Sequence, residues 1–219
     1  MNPAFLEDVN VAATALADLP VEWDGKQSIL ELQEADYNWR QMEWAGFYFE
    51  YLCRRHLQEL FEVPGESFGS TTFDAKRSVN WDFKWHAIKT HSHKAILNDK
   101  QAMEDTIAKY GAYGVIVCLC DVDYNDINRT FQKWHSEIKG GLSKYEMERR
   151  QRTAASRYRK TRAILYEILF LHIGLEDLPN LGTMRQGRNS NGAPRPEKYM
   201  VNLEDIDDLF VRSIVFTER

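Results

Sequence analysis

The stretch that decides the fold covers residues 73–88 and reads FDAKRSVNWDFKWHAI. Valine, tryptophan and phenylalanine are frequent in strands, and the polar pair Arg77-Ser78 near its middle is typical of a turn. The pattern therefore predicts two antiparallel strands, Ser67 to Arg77 and Val79 to Ile88, joined by a tight turn at that pair.

Helical and extended patterns alternate along the rest of the chain. The predicted elements are helices over residues 3–18, 37–61 and 98–110, a buried strand over 114–121, a long helix over 143–172 and a polar loop or hairpin over 182–199. The long helix would open on a capping box formed by Ser143 and Glu146. This order predicts a single α/β (α+β) domain over residues 1–219, with helices flanking a mixed central sheet.

The composition is typical of a folded cytoplasmic protein. Hydrophobic residues make up 43% of the 219 residues, which is enough for a packed core. No run of about 18 uncharged apolar residues occurs, so no membrane span is expected. The N-terminal segment carries acids where a secretory signal needs bases. The cysteines Cys53, Cys118 and Cys120 form no Cys-x-x-Cys pair and are expected as reduced thiols.

The net charge of −5 conceals an uneven distribution along the chain. Residues 139–199 hold thirteen Lys and Arg against six Asp and Glu, whereas residues 1–73 are strongly acidic. Because phosphates respond to the local field, this basic block predicts a face for duplex DNA; a solvated basic helix is the alternative. The block residues expected to contact DNA are Arg149, Arg152, Arg157, Lys160, Arg185, Gln186, Arg188, Asn189, Asn191, Arg195 and Lys198.

Charged residues interrupt the aromatic strand at two positions. Asp82 and Lys84 are two residues apart, so their side chains lie on the same face of the strand. Asp74 on the adjoining strand can reach that face, which brings two carboxylates beside one ammonium group. Close carboxylates repel each other unless a proton or a cation lies between them. An all-oxygen site of this kind suits Mg²⁺, with Mn²⁺ as the expected substitute.

Glu50 adds a third acid from the preceding helix, where it lies on the apolar side. An acid in that position needs a partner, and Arg54, one turn further along, could supply an ordinary salt bridge. Gly46 would instead let the helix approach the sheet and bring Glu50 toward Asp74 and Asp82. Both interpretations are open at this point.

These residues together resemble a known family. A helix with glycine and glutamate at Gly46 and Glu50, then Asp74, then Asp82-Phe83-Lys84, then a helix and a strand, resembles the core of the PD-(D/E)xK nucleases. The resemblance covers residues 40–121 and implies a fold like that of the restriction endonucleases.

The chain also departs from the family pattern. Phe73 stands where the family often has proline, and only seven residues separate the first aspartate from the second. A second Asp-x-Lys, Asp74-Ala75-Lys76, could take Glu62 or Glu66 as its upstream acid. We prefer Asp82-Phe83-Lys84 because the residues around it are typical of a core strand.

The resemblance implies a catalytic role for four side chains. Asp74, Asp82 and the Phe83 carbonyl would coordinate Mg²⁺, and Glu50 would bind the metal directly or through water. Lys84 would orient the attacking water or help to deprotonate it. The reaction implied is in-line hydrolysis of a phosphodiester, which leaves 5′-phosphate and 3′-hydroxyl ends.

The basic segment 185–198 points toward a type II restriction endonuclease. Arg, Asn and Gln form bidentate hydrogen bonds with guanine and adenine edges, although a polar surface loop has the same composition. A chain of this size would act as a homodimer on a palindrome. His86 shares the face of Lys84 and would touch the scissile phosphate, whereas the spacing of His86, His91 and His93 matches no zinc site. The alternatives are a structure-specific repair or recombination nuclease and a non-catalytic DNA-binding regulator.

Overall fold

The computed structural model describes residues 2–64, 73–141, 147, 158–185, 187, 192 and 194–217. The helices are α1 (Pro3–Leu16), α2 (Gly25–Glu34), α3 (Trp44–Leu57), α4 (Lys100–Tyr110) and α5 (Thr130–Ile138), with a 3₁₀ turn at Leu178–Asn180. The strands are β1 (Glu22–Asp24), β2 (Ala75–Lys76), β3 (Asn80–Ala87), β4 (Lys94–Asp99), β5 (Tyr113–Asp123), β6 (Arg162–Ile173), β7 (Gly182–Arg185), β8 (Glu197–Asn202) and β9 (Phe210–Val215). Within this part of the chain, no helix is long and apolar enough to cross a bilayer.

The strands form two sheets. The larger sheet has the order β1-β6-β5-β3-β2, and β9 pairs with β6 beside β1. Its β3 and β5 run parallel and its other pairs are antiparallel, so the sheet is mixed. The smaller sheet is antiparallel, with the order β4-β8-β7. The expected mixed α+β class, with helices packed against a mixed sheet, is confirmed.

The larger sheet is apolar on both faces. One face packs against α1, α2 and α3 through residues such as Trp81 and Ile116, and the other packs against α4 and the smaller sheet through Val115 and Val117. Because β5 is covered on both faces, its side chains form the continuous apolar run that predicted a buried central strand. That prediction is confirmed, since β5 lies between β3 and β6.

The prediction of a long helix through residue 172 is wrong. Residues 162–173 form β6, which pairs with β5 on one edge and with β1 and β9 on the other. Successive residues of β6 alternate between the two cores, Phe170 entering one and Leu171 the other. A strand that is buried on both faces lacks the alternation of apolar and polar residues by which strands are predicted. Its continuous apolar sequence therefore resembles that of a buried helix. The proposed capping residues Ser143 and Glu146 lie outside the described residues.

Other elements differ from the prediction in their bounds. The first helix is confirmed within two residues, whereas α3 starts at Trp44 rather than near residue 37 because residues 36–43 form turns. The antiparallel pair around the 77–78 turn is confirmed as β2 and β3, although residues 65–72 lie outside the described residues. The hairpin is confirmed as β7 and β8. The sequence analysis did not predict α2, α5, β1, β4 or β9.

A buried aspartate fixes the turn between β2 and β3. Asp8 on α1 is fully buried and accepts hydrogen bonds from the Arg77 guanidinium at 3.0 Å and from the Ser78 backbone N–H at 2.9 Å. The Ser78 hydroxyl, at 2.7 Å, and the Trp81 indole, at 3.2 Å, also donate to it. An acid buried in this way is stabilised by its donors, so α1 holds the turn in place.

We predict that Asp8→Ala lowers the free energy of unfolding by about 2–4 kcal/mol, since it leaves buried donors without an acceptor. Urea denaturation followed by circular dichroism measures the change. Glu7→Ala is the matched control, because Glu7 is exposed and lies 3.9 Å from Arg77. The control should change stability by less than about 0.5 kcal/mol. Equal effects of the two substitutions would contradict the anchoring role of Asp8.

Candidate active site

The candidate site lies at an open edge of the larger sheet. β2 is only two residues long and pairs with Asn80 and Trp81, so β3 has no strand partner on that side beyond Trp81 within the described chain. Asp74 provides the hydrogen bonds to β3 beyond β2. Its backbone N–H donates to the Trp81 carbonyl at 2.9 Å, and its carboxylate accepts from the Phe83 N–H at 2.7 Å. A carboxylate therefore occupies the place of a neighbouring strand.

The same geometry presents a backbone carbonyl at this edge. In a strand, the N–H and C=O of one residue point to the same side, so the Phe83 carbonyl faces the edge to which its N–H donates. It lies on the same edge of β3 as the Asp74 carboxylate. Backbone carbonyls and carboxylates are both ligands for hard cations.

Asp82 and Lys84 share one face of β3, as the sequence predicts. The Lys84 ammonium donates to Asp82 Oδ1 at 2.6 Å, and Asp82 is buried. The other oxygen, Asp82 Oδ2, is also buried and accepts no hydrogen bond in the described structure. A buried carboxylate oxygen without a donor is unfavourable by itself, and a cation would satisfy it.

Glu50 on α3 is held by a tyrosine and not by a salt bridge with Arg54, which was one of the two interpretations left open. The Tyr37 hydroxyl donates to Glu50 Oε1 at 2.6 Å. The Arg54 guanidinium lies over the Tyr37 ring, 5.1 Å from its centroid. Gly46 is not required for the approach of α3, because a Cβ there would lie 3.8 Å from Trp85 Cβ, an ordinary contact.

The charged groups of the site change one another's pKa. Burial and then the charge of Asp82 raise the pKa of Asp74 well above its usual range, and Lys84 opposes this. Burial also raises the pKa of Glu50, with a further contribution from Asp82, while Tyr37, Lys84 and Arg54 lower it. Burial alone would lower the pKa of Lys84, but Asp82, Asp74 and Glu50 outweigh it, so its pKa is raised. A single ammonium group thus lies near three carboxylates, so a second positive charge would further reduce the repulsion between them.

The donor set fits Mg²⁺. In the part of the chain that the structure describes, no three His, Cys, Asp or Glu side chains are already arranged around one ion position. Mg²⁺ does not need such a cage, because it keeps several waters and binds through one or two carboxylates together with the oxygens of a phosphate substrate. Asp74, the free oxygen of Asp82 and the Phe83 carbonyl meet that requirement, and Glu50 can bind through water.

The alternative Asp-x-Lys is placed differently. Lys76 forms an ion pair with Glu62 at 3.2 Å, and backbone hydrogen bonds also join these two residues. Its ammonium group is therefore bound by an acid outside the group formed by Glu50, Asp74 and Asp82. The other suggested upstream acid, Glu66, lies outside the described residues. Lys84, by contrast, contacts an acid within that group, Asp82 at 2.6 Å.

His86 lies further along the face that carries Asp82 and Lys84. Burial lowers the pKa of His86, and His93 adds to the effect, with ring centroids 5.7 Å apart. Its Nε2 is buried and has no hydrogen-bond partner in the described structure. His93 contacts Glu204 at 3.7 Å, and His91 is exposed. Contact of His86 with a phosphate stays a prediction.

The predicted DNA contacts are only partly covered by the described chain. Lys160 pairs with Glu43, Lys198 pairs with Asp99 at 3.2 Å, and Arg185 pairs with Glu197 at 3.3 Å. Arg195 is exposed. The remaining residues lie outside the described ranges: Arg149, Arg152, Arg157, Gln186, Arg188, Asn189 and Asn191.

Tyr37 is the site residue that the sequence analysis missed. It stands between Asp36 and Asn38, two residue types that tolerate the left-handed backbone region, and both adopt it here. That pattern predicts a turn, but it does not indicate which side chain the turn directs inward.

The chain was also compared with known proteins. No family model, curated protein or solved structure matches it. The assignment of a function therefore depends on the chemistry of Glu50, Asp74, Asp82 and Lys84 and on their positions at the open edge of β3.

We predict that Asp74→Asn stabilises the metal-free protein. Its raised pKa means that the ionised carboxylate costs folding free energy at neutral pH, and asparagine keeps an oxygen for the Phe83 N–H. The melting temperature at pH 7 should rise by roughly 2–4 °C, the shift that about 1 kcal/mol produces in a chain of this size. The gain should disappear near pH 3, where the carboxyl is protonated in both the folded and unfolded states.

Calorimetry between pH 3 and pH 8 measures this difference. Asp121→Asn is the control, since a hydrogen bond from Lys89 lowers the pKa of Asp121. Loss of that carboxylate should leave the melting temperature unchanged or slightly lower it. A lower melting temperature for Asp74→Asn at every pH would contradict the claim that the ionised Asp74 carboxylate destabilises the folded protein.

Proposed function

We propose that the protein is a Mg²⁺-dependent DNA endonuclease of the PD-(D/E)xK type that cleaves duplex DNA at specific sites, as a type II restriction enzyme does. The observation that supports this is the convergence of Glu50, Asp74, Asp82 and Lys84 at the open edge of β3. These residues come from α3, the segment before β2 and β3 itself.

Each side chain has a role in this reaction. Asp74, Asp82 and the Phe83 carbonyl would hold Mg²⁺, which supplies Lewis-acid polarisation of the scissile phosphate and stabilises the developing charge. Lys84 keeps its proton because its pKa is raised, so it donates a hydrogen bond to the attacking water or to a phosphate oxygen. Glu50 would bind the metal directly or through water, and its raised pKa makes it a stronger base than an ordinary carboxylate toward a metal-bound water.

Site-specific cleavage is supported by the connection between the hairpin and the site. In the sequence, the segment rich in Arg, Asn and Gln lies between β7 and β8, and β8 pairs with β4, the strand that follows β3 in the chain. A base-reading segment on this hairpin would be joined to the cleavage site through two hydrogen-bonded strands. We propose that a homodimer places two such sites on the two DNA strands of a palindrome.

The proposal is tested by incubating the purified protein with plasmid DNA with and without Mg²⁺. We expect discrete fragments that require Mg²⁺ or Mn²⁺ and carry 5′-phosphate ends. Cleavage only at mismatches or junctions, or random nicking, would contradict site-specific cleavage and support a repair or recombination nuclease instead. DNA binding without cleavage on varied substrates would contradict the enzyme and support a regulator.

The two lysines of the Asp-x-Lys motifs give a matched comparison. Lys84→Ala should reduce the cleavage rate by about 10²-fold or more, because it removes a charge placed to act on the transition state. Lys76→Ala removes the same group from the other motif and should leave the rate within about threefold of wild type. Gel assays of both variants at saturating Mg²⁺, with DNA binding measured in parallel, show which of the two Asp-x-Lys motifs is needed for cleavage. A larger loss for Lys76→Ala would move the site to Asp74-Ala75-Lys76.

Base recognition gives a separate prediction. Arg188→Ala should weaken binding to the cognate site by roughly 1–3 kcal/mol and leave binding to unrelated DNA nearly unchanged. Fluorescence anisotropy at fixed salt measures both affinities. Arg212→Ala is the control, because Arg212 lies on β9 and donates to Asn10 at 2.8 Å. An equal loss on cognate and unrelated DNA would show that Arg188 contacts the backbone only.

A further inference from the structure

The turn between α2 and α3 is held in an unusual conformation. Asp36 and Asn38 both have positive φ, at 49° and 42°, on either side of Tyr37. Positive φ costs free energy for residues other than glycine, least for aspartate and asparagine, and such residues concentrate at functional sites. The Tyr37 N–H also donates to the Leu32 carbonyl at 2.7 Å, which ties the turn back to α2.

The side chain that this turn directs inward reaches the candidate site. Tyr37 is 6% exposed, and its hydroxyl donates to Glu50 Oε1 at 2.6 Å. The Arg54 guanidinium lies over the Tyr37 ring, 5.1 Å from its centroid, and Tyr51 packs beside the ring with centroids 6.1 Å apart. The tyrosine is therefore fixed by its backbone, its ring and its hydroxyl.

We propose that Tyr37 is a positioning residue for Glu50, holding one carboxylate oxygen so that the other serves the Mg²⁺ site beside Asp74 and Asp82. This inference rests on the proposed nuclease function. A glutamate on a helix has three side-chain torsions, and without a fixed partner it would spend little time in one binding orientation. Groups that hold a metal ligand from behind commonly change metal affinity or activity by 10- to 100-fold when they are removed.

A similar tyrosine–glutamate hydrogen bond joins α3 directly to α2. Tyr48 on α3 donates to Glu31 Oε2 on α2 at 2.7 Å. Both tyrosines are 6% exposed, so removal of either hydroxyl has a comparable structural cost. They differ in the acid that accepts the bond: Glu50 interacts electrostatically with Asp82 and Lys84, whereas the second oxygen of Glu31 accepts from the Gln27 side chain at 3.1 Å.

The experiment compares Tyr37→Phe with Tyr48→Phe. Phenylalanine keeps the ring that contacts Arg54 and removes only the hydroxyl. For Tyr37→Phe, we expect the Mg²⁺ concentration at half-maximal cleavage to rise about 10-fold, with most of the rate recovered at high Mg²⁺. For Tyr48→Phe, the Mg²⁺ dependence should match that of wild type, although thermal stability falls by a similar amount in both variants.

A double mutant and a binding measurement complete the test. If Tyr37 acts through Glu50, Tyr37→Phe should change the Mn²⁺ affinity little when Glu50→Ala is already present. Mn²⁺ binding, followed by electron paramagnetic resonance, should weaken in Tyr37→Phe and not in Tyr48→Phe. A wild-type protein that neither cleaves DNA nor binds Mn²⁺ would overturn the function and this inference together. A wild-type nuclease for which both variants show the same Mg²⁺ dependence would overturn this inference alone.

Discussion

The hydrogen bond from the Phe83 N–H to the Asp74 carboxylate joins the architecture of the sheet to the chemistry of the site. β3 is covered by β5 on one edge, and on the other edge β2 ends before Asp82 is reached. An acid at that position completes the backbone pairing of Phe83 and brings its charge beside Asp82. The geometry depends on the turn between β2 and β3, which the buried carboxylate of Asp8 holds from α1.

The acids that the proposed activity needs at this edge of β3 destabilise the folded protein. Burial and the charge of Asp82 raise the pKa of Asp74 and of Glu50, and this cost falls on the folded protein. The surrounding structure offsets it with a large apolar core on both faces of the sheet and with fixed donors to Glu50 and Asp82. Such a balance is common where a protein binds a cation, because the ion reduces the repulsion between the carboxylates.

Sequence reasoning was most successful where local periodicity carries the information. The alternation of Asp82 and Lys84 placed both on one face, and the apolar run of β5 identified a central strand, because each depends only on neighbouring residues. The method failed for β6, whose two apolar faces hide the strand period. It also missed Tyr37, since its contact with Glu50 depends on a turn that folds back across thirteen residues of chain. The smaller sheet required long-range pairing of β4 with β8, which no local pattern shows.

The most direct measurement of the central claim is the anomalous scattering from Mn²⁺ in crystals of the protein. We expect a peak at the open edge of β3, bound by the Asp74 carboxylate, by Asp82 Oδ2 and by the Phe83 carbonyl, with the Lys84 ammonium still bound to Asp82 Oδ1. A structure at high Mn²⁺ concentration with no peak at this edge would contradict the metal site.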